Sequence, residues 1–263
     1  MHRRRVLAAA VMAGAALGTR PLAAQTGFEG VITFTNYEHG GKPSTFVQTS
    51  KGRKLRLDGF GKDSGSMIVD NDAKMIMIVD PSKKQYMTMT QDDMKQMQAM
   101  LGPMMERMKQ KRQAEGKSGQ FKFAPTGKSE TVAGARCEVW HGEYVDMNGE
   151  KEEGEACVAA GVGFALGELT FNNPMMMNGG PGAEQFEQYR DLVGGNKGIL
   201  KASKLEKGEA KPQLEATKIE RKSISDDAFK PPADYKEIRM GEMMMKAQQS
   251  TQGAQQKKAQ AEQ

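Results

Sequence analysis

Residues 66–108 read SMIVDNDAKMIMIVDPSKKQYMTMTQDDMKQMQAMLGPMMERM, and a change of period inside them decides the fold. Ser66 to Val69 and Lys74 to Val79 flank Asp70-Asn71-Asp72-Ala73, and Gln85 to Thr88 follows Asp80-Pro81-Ser82-Lys83-Lys84. Short β-prone runs separated by Asp, Asn and Pro clusters read as hairpin upon hairpin. At Thr90 the pattern turns helical. Thr90-Gln91-Asp92-Asp93 has the form of a capping box with Asp in place of Glu, since a hydroxyl and a carboxylate three residues apart can each accept from the other's backbone N–H. Met94, Met97, Met100, Leu101, Met104, Met105 and Met108 then recur at i, i+3, i+4 spacing as one stripe. Gly102-Pro103 interrupts that stripe, which predicts two short helices or one kinked helix within 91–111. Lys109 to Gly119 is charged and nearly free of apolar residues, and reads as a mobile loop.

The period of two extends outward on both sides. Upstream, Phe28, Gly30, Ile32 and Phe34 alternate with Glu29, Val31, Thr33 and Thr35. Thr45 to Thr49 is a second strand, and Lys54 to Asp58 a third with Leu55 and Leu57 inward and charge outward. Downstream, strands resume at Phe121 and are expected over Ser129 to Val132, Ala135 to Tyr144 and Glu150 to Val158, with Asn148-Gly149 as the strongest hairpin signal. Val162 to Phe171 reads as a short helix or loop, Asn172 to Gly182 as a loop and Ala183 to Val193 as a modest helix. Gly198 to Leu205, Lys211 to Lys222 and Asp234 to Ile238 read as closing strands. An amphipathic helix inside a meander has to bury its stripe on one face of the sheet, so the fold expected is α+β, an antiparallel sheet with short helices on one face, to which the resemblance given below adds a curved sheet with those helices on its concave face.

The first 24 residues carry a basic start, the small apolar run Val6 to Leu17 and an Ala23-Ala24 cleavage region, the three parts of an export signal. Three consecutive arginines leave both the general and the twin-arginine route open. Cleavage near Ala24 removes four arginines and no acid, which lowers the formal charge from +5 to +1. A basic pI of 9.0 for the whole chain is therefore no argument for nucleic-acid binding. The expected location is the periplasm, where Cys137 and Cys157 are expected to be bonded to each other. No cysteine sits near the cleavage site for lipid attachment, so no stable membrane anchor is expected. The chain reads as one domain over 25–240 followed by a polar, disordered tail over 241–263.

Methionine is the unusual feature, 21 residues of 263. Its stripe can simply pack on the sheet. It can also form a deformable ligand surface, because unbranched polarizable thioethers refit to varied apolar partners. A third reading is Cu(I) buffering, which soft thioethers suit, although no histidine accompanies the stripe. With only His39 and His141 after the leader and no GxSxG, P-loop, HExxH or free thiol, the sequence offers no catalytic constellation. His141, four residues from Cys137, shares a strand face with it without making a metal site. Phe28, Phe34, Phe121, Trp140 and Phe229 read as core, and Glu150 to Glu155 as a solvated strand face lacking calcium-loop spacing.

Several of these segments together carry a resemblance: Phe28-Glu29-Gly30-Val31-Ile32-Thr33-Phe34, the hairpin from Met67 to Asp80, the Cys137 and Cys157 pair, and Phe229-Lys230-Pro231-Pro232-Ala233-Asp234-Tyr235. They resemble an uncharacterised family of exported bacterial proteins in the superfamily of the outer-membrane lipoprotein carrier, over roughly residues 28–238. The resemblance implies a half-barrel with helices over its concave face and an apolar cavity between them. The sequence departs from the carrier in its Met-dominated lid, its disulfide and its polar tail, and no carrier residue is carried over. The expected function is a non-enzymatic binding or carrier protein for an apolar ligand such as a lipid or acyl chain. Its ligand-binding residues would be Met94, Met97, Met100, Leu101, Met104, Met105 and Met108, with no cofactor and no metal. The alternatives are an envelope protein-interaction module without a small ligand, and copper buffering.

Overall fold

The computed structural model describes residues 28–37, 42–60, 65–114, 120–145, 151–163 and 197–241. The expected leader over 1–24, the segments expected between 164 and 193 and nearly all of the tail lie outside the described residues. Two meanders build the molecule. The first has β1 (Gly30–Asn36), β2 (Ser44–Lys51), β3 (Lys54–Phe60), β4 (Gly65–Asp70), β5 (Met75–Asp80) and β6 (Gln85–Thr90). The second has β7 (Gln120–Val132), β8 (Ala135–Val145), β9 (Lys151–Ala160), β10 (Lys197–Glu206) and β11 (Glu209–Arg221). Because β1 pairs with β2 on one side and β11 on the other, the meanders fuse into one open sheet; with β12 (Lys236–Arg239) at one edge, its order is β12-β6-β5-β4-β3-β2-β1-β11-β10-β9-β8-β7. β12 lies parallel to β6, so the sheet is antiparallel everywhere except at that edge.

Local chemistry explains the tight turns. Asp70 Oδ1 accepts from the backbone N–H groups of Asp72 and Ala73 at 3.0 and 2.9 Å, and Asp80 Oδ1 accepts from those of Ser82 and Lys83. An Asp side chain thereby supplies at each corner the acceptor that the reversing backbone lacks. At the seam of the two meanders, Gly30 is the residue that fits. A β-carbon there would stand 2.1 Å from the carbonyl oxygen of Glu220 on β11, a distance at which backbone has to move.

The sheet is curved. Val132 on β7 belongs to the same buried cluster as Ala216 on β11, although four strand spacings separate those strands, roughly 19 Å across a flat sheet. The sheet therefore curls toward the face that carries this cluster, without closing. On that concave face Phe28, Ile32, Phe34, Cys137, Val139, Cys157 and Leu200 pack together, and Leu55, Leu57, Val69 and Ile76 form a second cluster, with Phe46 touching both. The opposite face of the first meander holds Ile68, Met77 and Val79, covered by Ile224 and Phe229 of the segment that follows β11. This strap is tied across the strands: Ile224 N–H donates to Glu29 Oε1 at 2.9 Å, Arg56 donates to the Ala228 carbonyl at 3.0 Å, and Lys236 N–H donates to the Lys84 carbonyl. The charges of β3, expected to point into water, instead sit half-buried beneath it, with Arg56 paired to Asp58 at 2.8 Å.

Two helical expectations need correction. In place of short helices there is one helix of 24 residues among the described elements, α1 (Gln91–Ala114), besides a single 3-10 turn at Asp226–Phe229. Pro103 lies inside α1 and costs one N–H bond to the Ala99 carbonyl, but position 103 is exposed, so water can serve that carbonyl and the helix continues. Lys109 to Ala114, expected in a mobile loop, is the last part of α1, because Lys, Gln, Arg and Ala are all good helix formers once a helix reaches them. The capping box forms as its spacing implies: Thr90 N–H donates to Asp93 Oδ2 at 2.8 Å and Asp93 N–H to Thr90 Oγ1 at 3.2 Å.

The Cys137–Cys157 disulfide is present, with Cα atoms 5.3 Å apart. Cys157 faces Val139 across β8 and β9, so Cys137 closes the bond diagonally on the same face. Both sulfurs lie inside the concave-face cluster, where closing a loop of 20 residues contributes about 3 kcal/mol.

Candidate functional site

Register alone builds the middle of the concave face. Across β1, β2 and β3, Ile32 faces Gln48 and Gln48 faces Leu57, while Ser50 faces Gly30 and Leu55. The next row is aromatic, with Phe34 facing Phe46 and their rings stacked 4.9 Å apart. Toward β6 the row continues through Met67 and Val69 on β4, Ile76 and Ile78 on β5, and Met87 and Met89 on β6. The result is a face that is apolar nearly from edge to edge.

Into it sit Gln48 and Ser50, which are 0% and 1% exposed. Gln48 Nε2 donates to Ser50 Oγ at 3.1 Å, and Gln48 Oε1 has no hydrogen-bond partner. Sequence reading gave 45–49 as a strand without assigning its faces, and so passed over this pair. The signal that would have found them is the period of two, which puts positions 46, 48 and 50 on one face once Phe46 is assigned inward.

The helix covers one end of this face through its first turns. Met94 and Met97 are each 6% exposed, and Met94 packs in the cluster of Leu55, Leu57, Val69 and Ile76. Leu101 is half-buried, whereas Met100 and Met104 are 44% and 54% exposed. The side chains of Met105 and Met108 lie outside the described residues. The stripe is therefore divided: its N-terminal part is core, and further along it opens toward solvent. Ile78, on the same sheet face as Ile76, is the third large apolar side chain that is exposed among the described residues.

A separate groove of about 540 Å³ lies over β7 to β10, lined by Phe123, Gly142, Gly154, Ala156 and Lys204 with Glu152 to Glu155 along it. Phe123 stacks on Trp140 with ring centroids 5.3 Å apart and lies against Gly142, the residue facing it. Trp140 is only half-buried, unlike Phe28, Phe34 and Phe229, which are core; the Phe121 side chain is outside the described residues. The acidic start of β9 is ion-paired: Lys151 bonds both Glu143 and Glu153, and Lys204 bonds Glu152 at 2.7 Å. Hydrogen bonding from Lys151 holds the Glu153 carboxyl below its ordinary value, and the same bond pushes Lys151 up. All resolved shifts among the described residues run this way, acids down and lysines up, away from neutrality. Among the described residues no group of three His, Cys, Asp or Glu is placed to hold a metal, and no helix is long and apolar enough to cross a membrane.

Residues 28–235 match the pattern of a family described as "Domain of unknown function (DUF4412)". No curated protein matches the chain. Among solved structures, the chain is similar to an uncharacterized conserved protein from Thermus thermophilus, at 9% identity and a TM-score of 0.45, over 82% of this chain and 92% of that one. A likeness at that level carries no argument about fold or activity.

Proposed function

The chain belongs to the DUF4412 family, and from the geometry of its concave face we propose that it is a non-enzymatic binding or carrier protein for an apolar ligand such as a lipid or acyl chain. In this reading the protein is exported to the periplasm by its first 24 residues, and its curved sheet and helix are the half-barrel and lid of a lipoprotein-carrier-like fold. The single observation that carries the reading is the division of the helix stripe. Met94 anchors α1 to the sheet and Met97, one turn on, is also buried, while Met100, Met104 and Ile78 keep apolar surface exposed on the helix and the face it covers. A chain laid between them gains about 0.8 kcal/mol for each CH₂ it buries, and flexible thioethers can refit around chains of different shape.

The test separates anchor from ligand surface. Met100→Asp with Met104→Asp, at two exposed positions, is expected to leave a folded, β-rich protein that no longer takes up a fluorescent fatty acid. Retained uptake by that variant would refute a ligand site along the stripe. Native mass spectrometry of protein recovered without detergent supplies the second readout. A heterogeneous adduct of several hundred daltons that organic extraction removes supports the carrier, and a clean apo monomer counts against it. The same three exposed side chains favour one alternative, an envelope protein-interaction module without a small ligand, for which crosslinking through α1 in whole cells would give a stable heteromeric product.

A further inference from the structure

Two cations of the second meander share a pocket without a carboxylate paired to either among the described residues. Lys151 and Lys204 bond glutamates, and Lys201 bonds Glu130 on β7 at 2.9 Å. Arg136 instead donates to Ser129 Oγ at 3.5 Å, and the Lys197 ammonium stands 6.0 Å from the centroid of the Trp140 ring. Register brings the two together. Lys197 on β10 faces Ala160 on β9, and Glu138 on β8 faces Val158, so the next pair along the same ladder sets Arg136 opposite Ala160. The cations therefore flank a methyl group from either side, two strand spacings or roughly 10 Å apart at the backbone, a span that their long side chains can close over the small residue between them. A pocket of about 220 Å³ lies there, lined by both cations with Ser129, Glu138, Val158 and Ala160, far more room than a single water fills. It is on the face opposite the concave cluster, because Cys137 and Val139 of that cluster alternate with Arg136 and Glu138. Arg136 is exposed, so the pocket is open to solvent.

We propose that this pocket binds a phosphate-type oxyanion, with Arg136, Lys197 and Ser129 as its donors. The site uses none of the residues of the apolar ligand reading and stands apart from it. A guanidinium presents its N–H groups as a planar fork that matches two oxygens of one anion, and an ammonium adds a compact charge. The Ser129 oxygen accepts from Arg136, which leaves its O–H to donate into the pocket. Donors arriving from β7, β8 and β10 suit an anion with oxygens pointing several ways better than a spherical ion. The carboxylate in the lining, Glu138, accepts from Trp140 Nε1 at 3.1 Å, and the two cations outnumber it. Along the ladder, the row of Trp140 and Ala156 separates the pocket from the row of Gly142 and Gly154 in the groove of about 540 Å³. A phosphate that carries an aromatic or apolar body can therefore lay that body along the stacked rings of Trp140 and Phe123.

Trp140 is the single tryptophan of the chain, so its fluorescence reports on the pocket directly. The experiment titrates the protein with inorganic phosphate, with phenyl phosphate and with sodium chloride at matched ionic strength, and repeats the titrations by calorimetry, because removing the Lys197 ammonium itself changes the surroundings of the ring. The variants are Arg136→Gln and Lys197→Gln, with Lys211→Gln removing the same charge from a lysine paired to Glu209, and circular dichroism checks that each keeps its sheet. The wild type is expected to show saturable binding of at least one of the two phosphates and none of chloride. Arg136→Gln and Lys197→Gln should each weaken it about tenfold, and Lys211→Gln should leave it unchanged. Equal affinity for the two phosphates supports a site for the free ion, and tighter binding of phenyl phosphate supports one for a phosphorylated organic molecule. Absence of saturable binding, an equal response to chloride, or affinity that survives both Arg136→Gln and Lys197→Gln would overturn the proposal.

Discussion

Truncating Met94 to alanine should free the helix without unfolding the sheet. Met94 is 6% exposed and packs against Leu55, Leu57, Val69 and Ile76, and burial of this kind makes Met→Ala cost about 2–5 kcal/mol. The lower part of that range applies, because a helix resting on one sheet face can settle into the space left behind. Beyond its first turns α1 has two of its stripe positions, Met100 and Met104, exposed, so the loss should appear as local opening of the helix and not as global unfolding. A loss of about 2–3 kcal/mol corresponds to roughly 30- to 150-fold faster opening-limited amide exchange. Hydrogen exchange read by mass spectrometry would show that acceleration over peptides of 91–104 and little change in β1 to β4, whose bonds to neighbouring strands do not involve Met94. Met104→Ala, at a position 54% exposed, is the matched control and should change exchange by no more than about twofold. Uniform acceleration across the sheet would refute the reasoning, since it would make α1 part of the global folding unit. No acceleration in α1 would mean that Met94 is not an anchor.

Two further outcomes follow from the packing. Gly30→Ala should destabilise the protein by about 3 kcal/mol or more in chemical denaturation, because its new carbon meets the Glu220 carbonyl at 2.1 Å and backbone cannot turn aside as a side chain can; a change below about 1 kcal/mol would show that β1 and β11 separate easily. The strap after β11 should weaken in acid. Bonding to Lys51 holds Asp226 below its ordinary 3.8 and bonding to Lys84 does the same for Asp234, so both carboxylates contribute stability above about pH 4 that is lost as pH falls through the lowered values. Lys84, pushed above its ordinary 10.5 by Asp234, keeps its contribution until pH rises through the raised value. Both pairs are solvent-exposed and the effect is small, but the gap in thermal midpoint between wild type and the double variant Asp226→Asn, Asp234→Asn should narrow as pH falls from 6 to below the ordinary carboxylate range, and a gap that does not narrow on acidification would count against the pairing.

How much of this was legible in the sequence follows from the range of each force. The strands were legible because their signal is local: Leu55 and Leu57 alternate with Lys54, Arg56 and Asp58, and Asp70 and Asp80 stand at the corners they turn. So was the start of the helix, since Thr90 and Asp93 cap it within four residues. Its end was not, because whether a helix passes Pro103 depends on what can serve the carbonyl that proline leaves unpaired. Which of seven stripe residues would be core was equally hidden. Spacing makes Met97 and Met104 equivalent on the helix surface, and only the placement of the helix on the sheet buries one and exposes the other.

Local sequence was enough to set the alternation, the turns, the cap and a pair of cysteines that could bond, since each of these depends on neighbours a few residues away or on the redox state of the surroundings. Long-range packing was needed to join β1 to β11, residue 30 facing residue 221, and to curl Val132 back toward Ala216. It also made the strap seal one face with Phe229, and put Gln48 on the inner one with its carbonyl unanswered. These are contacts between residues far apart in the chain, and period and composition carry no information about which distant strand lies alongside or which face the sheet bends toward.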